Sequence, residues 1–149
     1  MQRPTVLALD LEGTLISNAY SQIPRPGLRA FLSRCAELTV RIVMFTTVPE
    51  PQFRKVALDL ESRGEVPIWF PRTEYVTWSG QKKDLTFVPG ASPAEVRIVD
   101  DDPDRFAVPS QKGSWVEISH FGPPYSGSDT ALDTVLAILI NLFGASNLS

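Results

Sequence analysis

Three short apolar runs constrain this chain most, because each stops on an oxygen-bearing side chain. Thr5-Val6-Leu7-Ala8-Leu9 ends at Asp10, Val40 to Phe45 ends at Thr46-Thr47, and Val96-Arg97-Ile98-Val99 ends at Asp100-Asp101-Asp102. Runs this short and apolar, closed by turn residues, read as strands buried on both faces. After the first run, Pro26-Gly27 opens a helix to about Leu38, with Leu28, Phe31, Leu32, Cys35 and Leu38 on one face. A second helix is expected from about Pro51 to Ser62, with Phe53, Val56, Leu58 and Leu60 as core candidates and Gly64 as its stop. Trp115 to Ile118 reads as a further strand. A last, strongly apolar helix starts near the capping candidates Ser128 and Asp129 and stops at Gly144. The stretch from Val66 to Trp78 is aromatic and β-leaning.

Strands alternating with helices imply an α/β fold, a central and mostly parallel sheet with helices on both faces. Ligands in such sheets bind beyond the carboxyl ends of the strands. Asp10, Thr46 and Asp100 are therefore expected along one edge. The 149 residues, 43% apolar and 21% charged, suit one domain over residues 1–149 and exclude a disordered or fibrous chain. Thirteen prolines act as punctuation between elements. A net charge of −3 argues against a nucleic-acid partner, which favours a basic face. The single cysteine, Cys35, cannot form an internal disulfide, fits a reducing compartment and reads as a core thiol. No secretory leader is evident, and the longest apolar stretch, Val135 to Ile140, is too short to cross a bilayer. The expected setting is the cytoplasm, with no membrane partner. Oligomeric state stays open, since the apolar last helix suits either a deep core or an interface.

The polar strand ends carry a coherent chemistry. Asp10 can attack phosphorus and form an aspartyl-phosphate, dividing hydrolysis into two easier steps. Residues two apart on a strand project to the same side, so Glu12 can converge with Asp10 and serve as general acid and then base. Gly13 permits a tight turn whose backbone N–H groups can face phosphoryl oxygens. Thr46 offers a hydroxyl and Lys83 a fixed positive charge against the transferring group. Asp100 and Asp101 add hard oxygen ligands suited to magnesium, which draws an anionic substrate to an anionic nucleophile. His120, alone after a strand, reads as structural or superficial. A receiver-type phosphoacceptor is excluded by order: there the acidic pair follows the first strand, whereas here it comes last, beyond the lysine.

The ordered set Asp10-x-Glu12-Gly13-Thr14, Thr46, Lys83 and Asp100-Asp101 resembles the haloacid dehalogenase (HAD) superfamily. Val43-Met44-Phe45-Thr46-Thr47, Lys83-Asp84-Leu85-Thr86 and Ile98-Val99-Asp100-Asp101-Asp102-Pro103 resemble its branch of small phosphatases acting on the RNA polymerase II C-terminal domain, the NLI-interacting-factor-like branch. The resemblance implies a three-layer, Rossmann-like fold. It implies Asp10 as nucleophile and metal ligand, and Glu12 in the place of the acid/base aspartate, lending its backbone carbonyl to Mg2+. Thr46 and Lys83 would bind the phosphoryl group, with Leu11, Gly13, Thr14 and Thr47 lining the substrate. Asp101 would ligate the metal directly, and Asp100 would orient Lys83 or a metal-bound water. Only a flap (Ile16 to Pro24) and one helix separate Leu15 from Thr46, so no large cap domain is expected. An uncapped site implies a bulky phosphorylated substrate such as a phosphoprotein, with Tyr75, Trp78 and Trp69 available to line the opening. A phosphate-binding module without turnover and a small-metabolite phosphatase or phosphotransferase remain as alternatives.

Overall fold

The computed structural model describes residues 3–144. Its sheet has five strands, all parallel: β1 (Val6–Leu9), β2 (Ile42–Met44), β3 (Glu74–Tyr75), β4 (Val96–Asp100) and β5 (Trp115–Glu117), in the spatial order β3-β2-β1-β4-β5. Four helices accompany them: α1 (Leu28–Leu38), α2 (Glu50–Ser62), the single-turn α3 (Pro103–Phe106) and α4 (Ala131–Gly144). β1 lies at the centre, with Leu9 opposite both Met44 and Val99, so the three apolar runs end at the same level. Among the described residues no helix is long and apolar enough to cross a membrane.

The pleat of β1 sorts two cores. Leu7 and Leu9 face a large cluster holding Phe31, Leu32 and Cys35 of α1, Phe53, Val56 and Leu60 of α2, and Leu132, Val135 and Leu139 of α4. Val6 and Ala8 face the opposite side, packed with Val43, Phe45, Ile98, Val76, Leu85 and Val88. All three long helices thus cover one face. The second layer is thin, built from irregular chain and 3₁₀ turns at Leu85–Phe87 and Pro93–Glu95. The proline-punctuated stretch from Val76 to Pro93 can bury side chains there without forming a helix.

Several boundaries differ from the sequence expectation. Val40 is fully exposed and β2 starts at Ile42; Leu58 is exposed too, and Ala57 takes its expected place in the core. Both errors come from reading hydrophobicity without the exact phase of the element. The aromatic middle yields only a two-residue strand after a 3₁₀ turn at Phe70–Arg72, because Pro67 and Pro71 interrupt it. Arg41 clamps that edge strand through two hydrogen bonds to Glu74, at 3.1 and 2.7 Å. The Asp129 side chain accepts from the Ala131 N–H at 3.0 Å, satisfying one free donor at the start of the last helix.

Candidate active site

Parallel strands put their carboxyl ends on one edge, and the chain turns there into the loops that hold the site. Asp10 directly follows β1, its N–H bonded to the Val99 carbonyl at 3.0 Å. Asp100 closes β4 and Asp101 follows it. Lys83 arrives from the β3–β4 connection, where its N–H is pinned to the Phe106 carbonyl at 2.8 Å. The next residue, Asp84, accepts from the Thr86 N–H at 2.9 Å and starts a 3₁₀ turn that buries Leu85 in the second core. That anchor leaves the Lys83 side chain buried and directed inward. Its Nζ lies 2.6 Å from Asp100 Oδ2 and 3.1 Å from Asp10 Oδ1, with the Phe106 ring centre 5.0 Å away.

The carboxylates are organised by further donors. Thr14 Oγ1 donates to Asp10 Oδ2 at 2.8 Å and reaches Asp101 Oδ1 at 3.3 Å. The Asp102 N–H donates to Asp100 Oδ1 at 2.9 Å. His120 Nδ1 lies 2.6 Å from Asp101 Oδ2. Oxygens of Asp10, Asp100 and Asp101 can all lie within 4.8 Å of one another. Three carboxylates therefore crowd around one ammonium. Burial pushes the Asp10 carboxyl up to about 8, with Lys83 opposing and Asp100 adding to the rise. Asp100 is raised for the same first reason, again against Lys83. Burial would lift Asp101 too, but hydrogen bonds with His120 and Asp10 hold it below the usual range. Lys83 stays above its ordinary value despite burial, because both flanking carboxylates favour its charge. The excess of negative charge, borne on hard oxygens in a small space, fits a divalent cation such as magnesium.

The loop after Asp10 differs in detail from the sequence expectation. Gly13 adopts φ +74°, and its N–H is taken by the Ile16 carbonyl at 2.8 Å rather than facing outward. The Thr14 N–H likewise goes to the Leu11 carbonyl at 3.3 Å. Among the described residues no acceptor takes the N–H of Leu11 or Glu12, so those are the loop amides left for a phosphoryl oxygen. The Leu11 side chain is core. Gly13 is required sterically as well: a Cβ there would sit 2.5 Å from Asp101 Oδ2 and 2.6 Å from His120 Nδ1. Glu12 points one carboxylate oxygen at the flap, accepting from the Ala19 N–H at 2.8 Å. Thr46 is buried beside Asp10, since Phe45 N–H bonds to the Leu9 carbonyl at 2.8 Å, while Thr47 is exposed.

Together these segments form one loop cluster at the sheet edge, in the chain order that the motifs led us to expect. The profile of the NLI interacting factor-like phosphatases matches residues 5–149, nearly the whole chain. The chain belongs to that family. No curated protein matches it. Membership in the NLI interacting factor-like phosphatases agrees with the resemblance drawn from the motifs, and the parallel α/β sheet agrees with a HAD-type, Rossmann-like fold.

Some parts of this NLI interacting factor-like site were not legible beforehand. His120 reads as structural or superficial in sequence, and nothing there points to its contact with Gly13 or its bond to Asp101. Arg25 gave no signal at all beyond preceding Pro26. Its side chain is 0% exposed, and it pairs with Asp129 at 3.0 Å from Nε and 3.1 Å from Nη2. It also donates to Ser119 Oγ at 3.0 Å and to the Thr14 carbonyl at 3.2 Å, bracing the loop that carries Thr14. Of the three aromatics, Trp78 and Tyr75 do border the opening; Trp78 Nε1 donates to the Thr46 carbonyl at 2.9 Å and Tyr75 OH to the Val48 carbonyl at 2.6 Å. Trp69 does not: it lies at the opposite end of the sheet, beside Thr39, Ile42 and Arg72.

Proposed function

We propose that this protein is a phosphomonoester hydrolase that works through an aspartyl-phosphate on Asp10, with magnesium as its metal. The observation that carries the reading is the buried Lys83 ammonium between Asp10 and Asp100, with Asp101 completing a three-carboxylate set. Asp10, Asp101 and the backbone carbonyl of Glu12 would hold the ion, with Asp100 orienting Lys83 or a water. When bound, the metal supplies positive charge that lowers repulsion between the substrate phosphate and the carboxylates.

In the first step an Asp10 carboxylate oxygen bonds to phosphorus as the bond to the leaving oxygen breaks, and Glu12 gives that oxygen its proton. In the second, water bonds to phosphorus, its proton returns to Glu12, and the Asp10–phosphorus bond breaks to release inorganic phosphate. Burial resists ionisation of Asp10, whereas Lys83 and a divalent cation favour the ionised nucleophile. The Leu11 and Glu12 amides, the Thr46 hydroxyl and the Lys83 ammonium are the donors available to the phosphoryl oxygens. The flap from Ile16 to Pro24 is short, and among the described residues no cap covers the edge, which suits a phosphate carried on a bulky molecule such as a phosphoprotein.

The test is phosphate release from an aryl phosphate. Wild type is expected to turn over with magnesium and to stop with EDTA, and Asp10→Asn to abolish release. Glu12→Gln keeps an acceptor for the Ala19 amide and should slow release by about 10²-fold or more through loss of proton transfer. The grip of Glu12 on the flap favours one rival, a phosphate-binding module without turnover. That rival wins if wild type and Asp10→Asn are equally inert while a phosphate analogue still binds.

A further inference from the structure

Beside Thr46 the surface sinks into two adjoining hollows that share Thr47, Trp78 and Gly80. One, of about 340 Å³, runs past Pro49 and Tyr75; the other, of about 570 Å³, is bounded by Gln81, Lys82, Arg105 and Phe106. Sharing these lining residues, the two form one continuous trough that begins at Thr46 in the candidate phosphate site. Trp78 forms its floor, half-buried and edge-on to Phe45 at 5.7 Å and Phe106 at 6.5 Å.

The trough has a distinctive charge. Lys82 Nζ donates to the Arg105 carbonyl at 2.8 Å, joining its two walls. Among the described residues neither Lys82 nor Arg105 forms an ion pair with a carboxylate. The neighbouring Asp104 reaches Lys112 instead, at 3.4 Å, and Asp102 accepts from the Arg105 N–H, capping α3. Among the described residues no acidic one lines either hollow. Arg105 and Lys83 lie against the same Phe106 ring, 4.9 and 5.0 Å from its centre, which bounds their separation at 9.9 Å. Lys83 belongs to the candidate phosphate site, so the exposed guanidinium marks a second anion position within that reach. An extended peptide advances about 3.3–3.6 Å per residue, so that bound allows at most about three residues. An immediate neighbour projects to the opposite face, so the matching side chain is the second or third from the phosphorylated one. In a chain of net charge −3, with three carboxylates at the site itself, two unpaired cations here are the local feature that would draw a negatively charged segment.

We propose that this trough selects phosphopeptide segments carrying an acidic residue two or three positions from the phosphorylated one, with Lys82 and Arg105 as the recognising cations and Trp78 as the apolar floor. The inference rests on the phosphatase reading for its phosphate site and adds a specificity to it.

Two phosphopeptides that differ only in Asp or Asn at those positions test it, with an aryl phosphate as reference. Wild type is expected to favour the Asp peptide by about five- to tenfold in kcat/KM, as two part-exposed charge contacts would give. The preference should shrink as salt rises. It should fall to about one in the double variant Lys82→Ala/Arg105→Gln and survive in Arg105→Lys, with the remote Lys55→Ala as control. Equal rates on the two peptides, or a preference that persists in the double variant, would overturn the proposal. The same pair is also measured by fluorescence anisotropy on Asp10→Asn, so affinity reports on the trough even without turnover. An inert wild type that still binds the Asp peptide more tightly would sink the phosphatase reading and leave the trough standing; active enzyme indifferent to the acid would do the reverse.

Discussion

Among the described residues two charged clusters are buried, and they are built on opposite plans. Around Arg25 one guanidinium meets one carboxylate, Asp129, in a two-bond fork, and its remaining donors go to Ser119 and to backbone carbonyls of the loop after β1. The Phe121 ring stacks on it at 5.3 Å. Charge is balanced and every direction is filled. Around Lys83 one ammonium meets Asp10 and Asp100, with Asp101 close by, and the count of negative charges exceeds the positive. The first plan stabilises a loop. The second leaves the fold with an electrostatic burden that a cation or a phosphate-bound metal relieves, and such burdens gather at functional sites.

Breaking each cluster therefore has a different consequence. Asp10→Asn should lower phosphate release by about 10³-fold or more. In EDTA below about pH 8 its melting temperature should nonetheless stay close to that of wild type, because the raised Asp10 carboxyl is already protonated there and the amide is its neutral counterpart. A clear drop in melting temperature would show that Asp10 is structural. Asp129→Asn should do the reverse in kind. It leaves the Arg25 guanidinium buried with no countercharge, and denaturant titration should read a loss of about 3 kcal/mol, the lower end for a broken buried pair because Asp129 retains 19% exposure.

Gly13→Ala lies between the two clusters. Its backbone sits at φ +74° and the added Cβ meets Asp101 and His120, so stability should fall by about 1–3 kcal/mol. Magnesium affinity should weaken with it as Asp101 shifts, which calorimetric titration would detect. An alanine variant with wild-type stability would show that the loop is softer than its geometry implies.

A further difference is in pH, and its sign separates the clusters. Asp10 is raised, so between the ordinary aspartate value of 3.8 and about 8 the native state holds more protons than the unfolded one. Stability of the metal-free protein should therefore fall as pH rises through that window, and Asp10→Asn should flatten the slope. For Asp129 burial alone would raise the carboxyl, but the Arg25 hydrogen bonds outweigh it and the net shift is downward. Its contribution is complete above 3.8 and is lost as pH falls through the lowered native value. Chemical denaturation from acid to mildly alkaline pH, with and without magnesium, reads both windows. A flat metal-free profile in the upper window would contradict the burden assigned to Asp10.

Cys35 illustrates the bland residue beside the sharp ones. Its helical spacing with Phe31 and Leu32 already marked it as core, and burial pushes its thiol up to about 12, which makes it a poor nucleophile. Lys83 shows the converse. Its place in Lys83-Asp84-Leu85-Thr86 marked it as a candidate, but only the fold shows how Asp84 and Leu85 anchor the chain so that the ammonium is buried.

The sequence by itself determined four of the five strands, the three long helices and the order in which their polar ends follow one another, because apolar periodicity and turn chemistry are local properties. It also determined the family, since nearly the full length matches. Only the tertiary structure decided that the long helices share one face, that Gly13 spends its N–H inside the turn, and that Glu12 leans on the flap. It alone brought His120 onto Asp101, and Arg25 onto Asp129 from 104 positions away. Those outcomes depend on distances between residues far apart in the chain, which no local pattern encodes.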